Sequence, residues 1–132
     1  MKIHHIGYLV KEIDKSIIQF ENLGFMYTDI PIVDKIRDLK ILFMYNNDVV
    51  IELIQSLSNN SRVSGLLKHY INSPYHFCYE TNDMNLSIQM LININGYILI
   101  ETPSPAPAIY GCPNVTFLFN KDIGLIELIE IK

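Results

Sequence analysis

Four residues of this chain combine a type and a placement that could hold chemistry: His5, Glu52, His76 and Glu127. The two glutamates sit in identical stretches, IELI at 51–54 and IELI again at 126–129, within the apolar strand-like runs VVIELI and GLIELI. Side chains in a strand alternate between faces, so Glu52 shares a face with Val50 and Ile54, and Glu127 with Leu125 and Ile129. By the same rule His5 lies with Ile3, Gly7 and Leu9, and His76 with Cys78 and Glu80. An ionised carboxylate on an apolar face is costly unless a countercharge, a metal or solvent compensates it. A divalent cation answers the needs of all four groups at once. Neutral imidazole nitrogens and carboxylate oxygens suit Zn, Ni, Co, Mn or Fe, and the ion keeps the glutamates deprotonated at neutral pH.

A single strand histidine is most often a hydrogen-bonded core residue, and a single strand glutamate usually faces water. What favours a cation here is repetition. Setting HIGYLVKEIDKSI, from His5, against HFCYETNDMNLSI, from His76, aligns His5 with His76, Tyr8 with Tyr79, Ser16 with Ser87 and Ile17 with Ile88, all at an offset of 71 residues. Gly24 and Gly96 follow at 72, and Glu52 and Glu127 at 75. The histidine-to-glutamate separation is 47 residues in one half and 51 in the other. The chain therefore reads as a tandem duplication, and each copy supplies half of a metal site.

The elements that must position these groups follow from local patterns. Residues 2–9 suit a strand. Asp14 is a plausible helix N-cap, and Ile17, Ile18, Phe20 and Leu23 form an apolar stripe that stops at Gly24. Strands are expected near 25–33, 39–45 and 48–54, the last two joined by the turn-like Asn46, Asn47 and Asp48. The second half repeats the order: a strand at 75–80, a helix from about Asn85 to Ile94 capped by Asn82 or Asp83, then strands near 97–101, 114–119 and 124–131. Val63, Leu66, Leu67 and Tyr70 have helical spacing, so 61–71 is expected to be a linker helix closed by Pro74. The prolines of TPSPAPAIYGCP, 102–113, exclude helix and central strand and favour an extended loop, either a cover over a pocket or a surface connection. The expected fold is α+β: two tandem βαβββ modules, at 1–58 and 74–132, forming a curved mixed sheet around a metal-binding cavity.

Composition excludes several function classes. At 132 residues the chain fits one domain with a self-sufficient core. Lys and Arg number 10 against 14 Asp and Glu, with no basic stripe, which argues against nucleic acid. MKIHHIGYLV does not read as a secretory signal, and no run approaches the roughly 18 apolar residues that span a bilayer, so no membrane is expected and the default location is cytoplasmic. Cys78 and Cys112 are too few for a disulfide framework. Arg37, Lys40 and Arg62 could meet a phosphate or carboxylate, but scattered cations are read as solvated surface. His4 points to the face opposite His5, with Tyr75 as its repeat counterpart, and His69 is read as a surface residue. Glu80 and Glu130 flank the proposed ligands, and the repeat singles out neither.

HHIGYLV, VVIELI, YHFCYE and GLIELIE, set in βαβββ repeats, resemble the vicinal oxygen chelate superfamily of glyoxalase I, methylmalonyl-CoA epimerase, ring-cleaving dioxygenases and bleomycin-resistance proteins. The resemblance covers essentially the whole chain. It places the family's metal ligands on His5, Glu52, His76 and Glu127, the four that the repeat selects. It implies a divalent metal ion (Ni, Co, Zn or Mn), proton abstraction next to a carbonyl with a stabilised enediolate, and Glu127 as both ligand and base. The first functional expectation is a glyoxalase I-like lyase of the lactoylglutathione type, acting on the adduct of a small-molecule thiol. The alternative is a methylmalonyl-CoA epimerase, with an acyl-CoA substrate. Epimerases of this family carry a further glutamate on the third strand, where DLKILFMY places Lys40. A drug-sequestering protein would use the same cavity without the ligand quartet, and an Fe(II) dioxygenase needs open positions that Glu52 would fill. The resemblance also implies a homodimer.

Overall fold

The structure, a computed structural model, describes residues 1–61, 63–66 and 69–132. Ten elements run in two βαβββ series: β1 (Ile3–Leu9), α1 (Ile13–Asn22), β2 (Ile32–Asp34), β3 (Leu39–Asn46), β4 (Val49–Ser56), then β5 (Ser73–Thr81), α2 (Met84–Asn95), β6 (Ile98–Pro105), β7 (Asn114–Asn120) and β8 (Gly124–Glu130). The chain divides into two compact units, His5–Tyr75 and Met1–His4 together with His76–Lys132. The first four residues thus belong with the second half, where the Glu80 N–H donates to the Lys2 carbonyl at 2.8 Å.

In the His5–Tyr75 unit the strands run in the order β2-β3-β4-β1. β1 and β4 are parallel, with Gly7 beside Glu52, and the other pairs are antiparallel. Alternation sends Leu42, Met44, Ile51 and Leu53 to one face, where Val10, Ile13 and Ile17 close a core over them. Leu53 is fully buried there, a burial that stabilises the fold by about 1.5–3 kcal/mol. α1 ends in paired 6→1 and 5→2 hydrogen bonds, from Phe25 to Phe20 and from Gly24 to Glu21, both 3.0 Å. Gly24 takes φ +97°, which only glycine adopts without strain, so the stop read at this residue is the one observed.

The start of α1 differs from expectation. Asp14 lies inside the first turn and is not the cap; Glu12 holds the cap position without a side-chain bond. The Ile13 N–H is instead satisfied by the Gln55 side-chain oxygen of β4 at 2.8 Å, a partner distant in sequence. The strand expected at 25–33 shrinks to a bridge between Met26 and Tyr45 and the three residues of β2. Pro31 brings no N–H donor to a ladder, so regular pairing begins only at the residue after it.

In the other unit the order is β5-β8-β7-β6. β5 and β8 are parallel, with Cys78 beside Glu127, and β8–β7 and β7–β6 are antiparallel. The Asp83 side chain accepts from the Leu86 N–H at 2.9 Å, and Gly96 caps the other end of α2 at φ +70°, as the sequence suggests. Met84, Leu118, Ile126 and Leu128 form the core beneath α2, while Cys78, Ala106, Val115 and Ile129 pack on the opposite face. β6 continues through Pro103 to Pro105, further than expected. An edge strand tolerates missing donors, and its register shifts twice along the way. The remainder of the proline-rich stretch closes on itself, with the Ala106 N–H bonded to the Pro113 carbonyl at 2.9 Å.

The expected linker helix falls partly on residues 62, 67 and 68, outside the described residues. Over the described part the chain makes turns and a 3-10 position at Leu66, with Ser64 bonded to Ser61, Leu66 to Val63, and the His69 and Tyr70 N–H groups both bonded to the Leu66 carbonyl. The Ser64 hydroxyl donates to the carbonyls of Asn59 and Ser61, and Gly65 follows it; both features disfavour a regular helix. Cys78 is buried and Cys112 exposed, and the two form no disulfide. Among the described residues no helix is long and apolar enough to cross a membrane.

Candidate functional site

In the His5–Tyr75 unit, α1 covers one face of the sheet and the candidate residues lie on the other. Parallel pairing puts Gly7 of β1 beside Glu52 of β4, and His5 follows two residues away on the same face. The His5 Nε2 and a Glu52 carboxylate oxygen are 3.4 Å apart, and the two residues are only 1% and 6% exposed. The second unit repeats this arrangement with different neighbours. His76 Nε2 lies 3.7 Å from a Glu127 carboxylate oxygen, at 4% exposure for each residue. Each histidine foreseen as a ligand is therefore buried against the glutamate of its own half.

These distances bear on what each pair can hold. An N–H···O hydrogen bond normally spans about 2.7–3.2 Å, shorter than either separation. Two ligand atoms each about 2.1 Å from one ion, at angles of about 90–120°, lie about 3.0–3.6 Å apart, a range that the first pair meets and the second exceeds by about 0.1 Å. One nitrogen and one carboxylate oxygen, buried and facing each other, form a donor pair of the kind that Zn, Ni, Co or Mn accepts. The fit with a divalent cation is good in each half.

Two residues to which the sequence patterns drew no attention complete the picture. Phe43 of β3 is the cross-strand partner of Glu52, and Phe117 of β7 is that of Glu127. Phe43 stands edge-on to His5 with ring centroids 5.2 Å apart at 86°, and Phe117 to His76 at 5.2 Å and 88°. A signal was available. Phe43 and Phe117 are 74 residues apart, within the 71–75 range of the repeat.

The cations behave differently from expectation. Arg37 is not solvated surface: it is 8% exposed, and its guanidinium donates to the buried Asp34 carboxylate at 2.8 Å. Lys40 alternates with Phe43 and so lies on the α1 face, where its ammonium is 3.5 Å from Asp14. The face of β3 that Phe43 shares with Leu39, Ile41 and Tyr45 carries no carboxylate. Arg62 lies outside the described residues. His69 is exposed, as expected, and Lys2 approaches Glu80 at 3.8 Å.

Comparison with known proteins bears on the fold and the family. An ethylmalonyl-CoA/methylmalonyl-CoA epimerase of Cereibacter sphaeroides is 24% identical over 133 residues, covering 98% of each chain. A hypothetical protein of Bacillus halodurans has a similar fold, with a TM-score of 0.85 and 23% identity over 99% of this chain and 94% of its own. Streptomyces coelicolor methylmalonyl-CoA epimerase, solved with 2-nitronate-propionyl-CoA, gives 0.83 and 20% identity over 98% and 94%. The family model of the Glyoxalase/Bleomycin resistance protein/Dioxygenase superfamily matches residues 4–115, and the chain belongs to that superfamily.

Proposed function

We propose that this chain is a metal-dependent epimerase acting at the carbon next to an acyl-CoA thioester, of the methylmalonyl-CoA type. His5, Glu52, His76 and Glu127 would hold one divalent cation, and Glu127 would move the proton. The observation that carries the reading is the duplicated pair: histidine and glutamate, buried and facing one another, once in each half. The epimerase relative, matched along nearly its full length, favours a CoA thioester over the thiol adduct that a glyoxalase I-like lyase would use. The order of the two expectations from sequence is thereby reversed.

When bound, the cation would act as a Lewis acid on the thioester carbonyl. The protein groups do the rest. A carboxylate accepts the α-proton, the C–H electron pair passes into an enolate, and a proton delivered from the opposite face completes the inversion. Lys40 is poorly placed for that second delivery, being turned toward α1 and paired with Asp14. The second carboxylate of the proposed quartet is Glu52, the counterpart of Glu127 in the repeat, and we assign the return proton to it.

The test is an exchange assay. Protein loaded with Co, Ni or Zn should incorporate deuterium at the α-carbon of methylmalonyl-CoA in D2O and interconvert its epimers. Silence on that substrate, together with conversion of a methylglyoxal–thiol hemithioacetal to the thioester, would restore the lyase reading.

A further inference from the structure

Each half sets an aromatic ring beside its histidine and glutamate, and the proposed chemistry gives that ring no role. Phe43 is paired across strands with Glu52 and stands edge-on to His5; Phe117 is paired with Glu127 and stands edge-on to His76. Both centroid distances are 5.2 Å and both rings lie nearly perpendicular to the imidazole, at 86° and 88°. The neighbouring places on the same faces hold Ile41 and Tyr45 on β3 and Val115 and Phe119 on β7; Phe43 and Phe117 are the rings set directly across from the two glutamates. Two copies in the same geometry, each touching the same pair of partner types, point to a shared task.

That task follows from the shape of imidazole. Turning a histidine ring by half a revolution about Cβ–Cγ exchanges Nε2 with a carbon, so a free ring would present the carboxylate with a C–H as often as with a nitrogen. A perpendicular ring in contact occupies space that the turning imidazole must sweep, and edge-to-face contact favours the orientation observed. We infer that Phe43 and Phe117 are positioning residues, each holding the imidazole of its own half with Nε2 toward the glutamate of that half. The consequence for a bound cation rests on the proposed function. The ring orientation stands on the geometry within each half.

The experiment uses full-length F43L and F117L, which keep an apolar side chain at each place, with F43Y and F117Y as variants that restore a ring. In the metal-free protein, long-range proton–nitrogen spectra report each imidazole. F43L should move or split the His5 ring nitrogen signals, which loss of a neighbouring ring current scarcely changes, and leave those of His76 in place; F117L should do the reverse, and the tyrosine variants should return both toward wild type. Co(II) titration should show affinity weakened about 10-fold or more by either leucine variant, the size typical of losing a residue that orients a ligand. Unmoved ring signals in both leucine variants would overturn the inference, as would ring signals equally disturbed at both histidines by either change. If wild type takes up no Co(II), the metal reading fails, while the ring spectra still decide the positioning role.

Discussion

Replacing Glu127 with Gln should lower methylmalonyl-CoA epimerisation by at least about 10³-fold while the protein stays folded and keeps its metal. The estimate follows from the roughly 10²–10⁴-fold contribution of a positioned general base, taken toward its upper end because inversion cannot finish without it. Gln has the same shape and keeps an oxygen toward His76, so the site on β8, 4% exposed beside Cys78, should accept it without a cavity. Steady-state rates read together with metal content separate the outcomes. A variant that retains metal and more than about a tenth of wild-type turnover would remove Glu127 from the proton path.

Glu52→Gln should cripple epimerisation to a similar extent, with the two variants parting in the exchange reaction. If each glutamate serves one face of the α-carbon, each variant should still exchange the α-hydrogen of one epimer near the wild-type rate. The exchange of the other epimer should fall by about 10³-fold, and the two variants should spare opposite epimers. The prediction draws on β3, where Phe43 and not a carboxylate stands across from Glu52, and on Lys40 being turned to the other face. Deuterium wash-in measured on each epimer separately reads this directly. Equal slowing of both epimers by Glu52→Gln would leave Glu52 as a ligand alone and require another proton carrier.

The pairing of histidine with glutamate within each half was more legible in the sequence than the connections around it. A carboxylate on an apolar strand face is a local anomaly, and its recurrence at an offset of 75 residues, with the histidines at 71, could be read without any three-dimensional information. Helix ends with a local chemical cause were legible too: Gly24 and Gly96 adopt the left-handed backbone that glycine permits, and Asp83 caps its own helix. What escaped depends on partners far along the chain. The first-turn N–H of α1 is satisfied by Gln55, 42 residues away, so no local pattern could show that Asp14 is spared the task. β6 passes through prolines because it is an edge strand, a property of sheet order and not of its residues. Around 61–66 serine hydroxyls compete for backbone carbonyls, and the apolar spacing that suggested a helix does not register this. Phe43 and Phe117 look like ordinary strand residues until cross-strand register sets them beside Glu52 and Glu127.

The claim beneath these predictions is that two half-sites serve a single ion. Elemental analysis of the protein after reconstitution with Ni, Co or Zn and removal of free metal tests it most directly, in wild type and in His5→Ala and His76→Ala. One ion per chain in wild type, lost from either variant, is the predicted result. Two ions per chain, none at all, or full retention when one histidine is gone would contradict it.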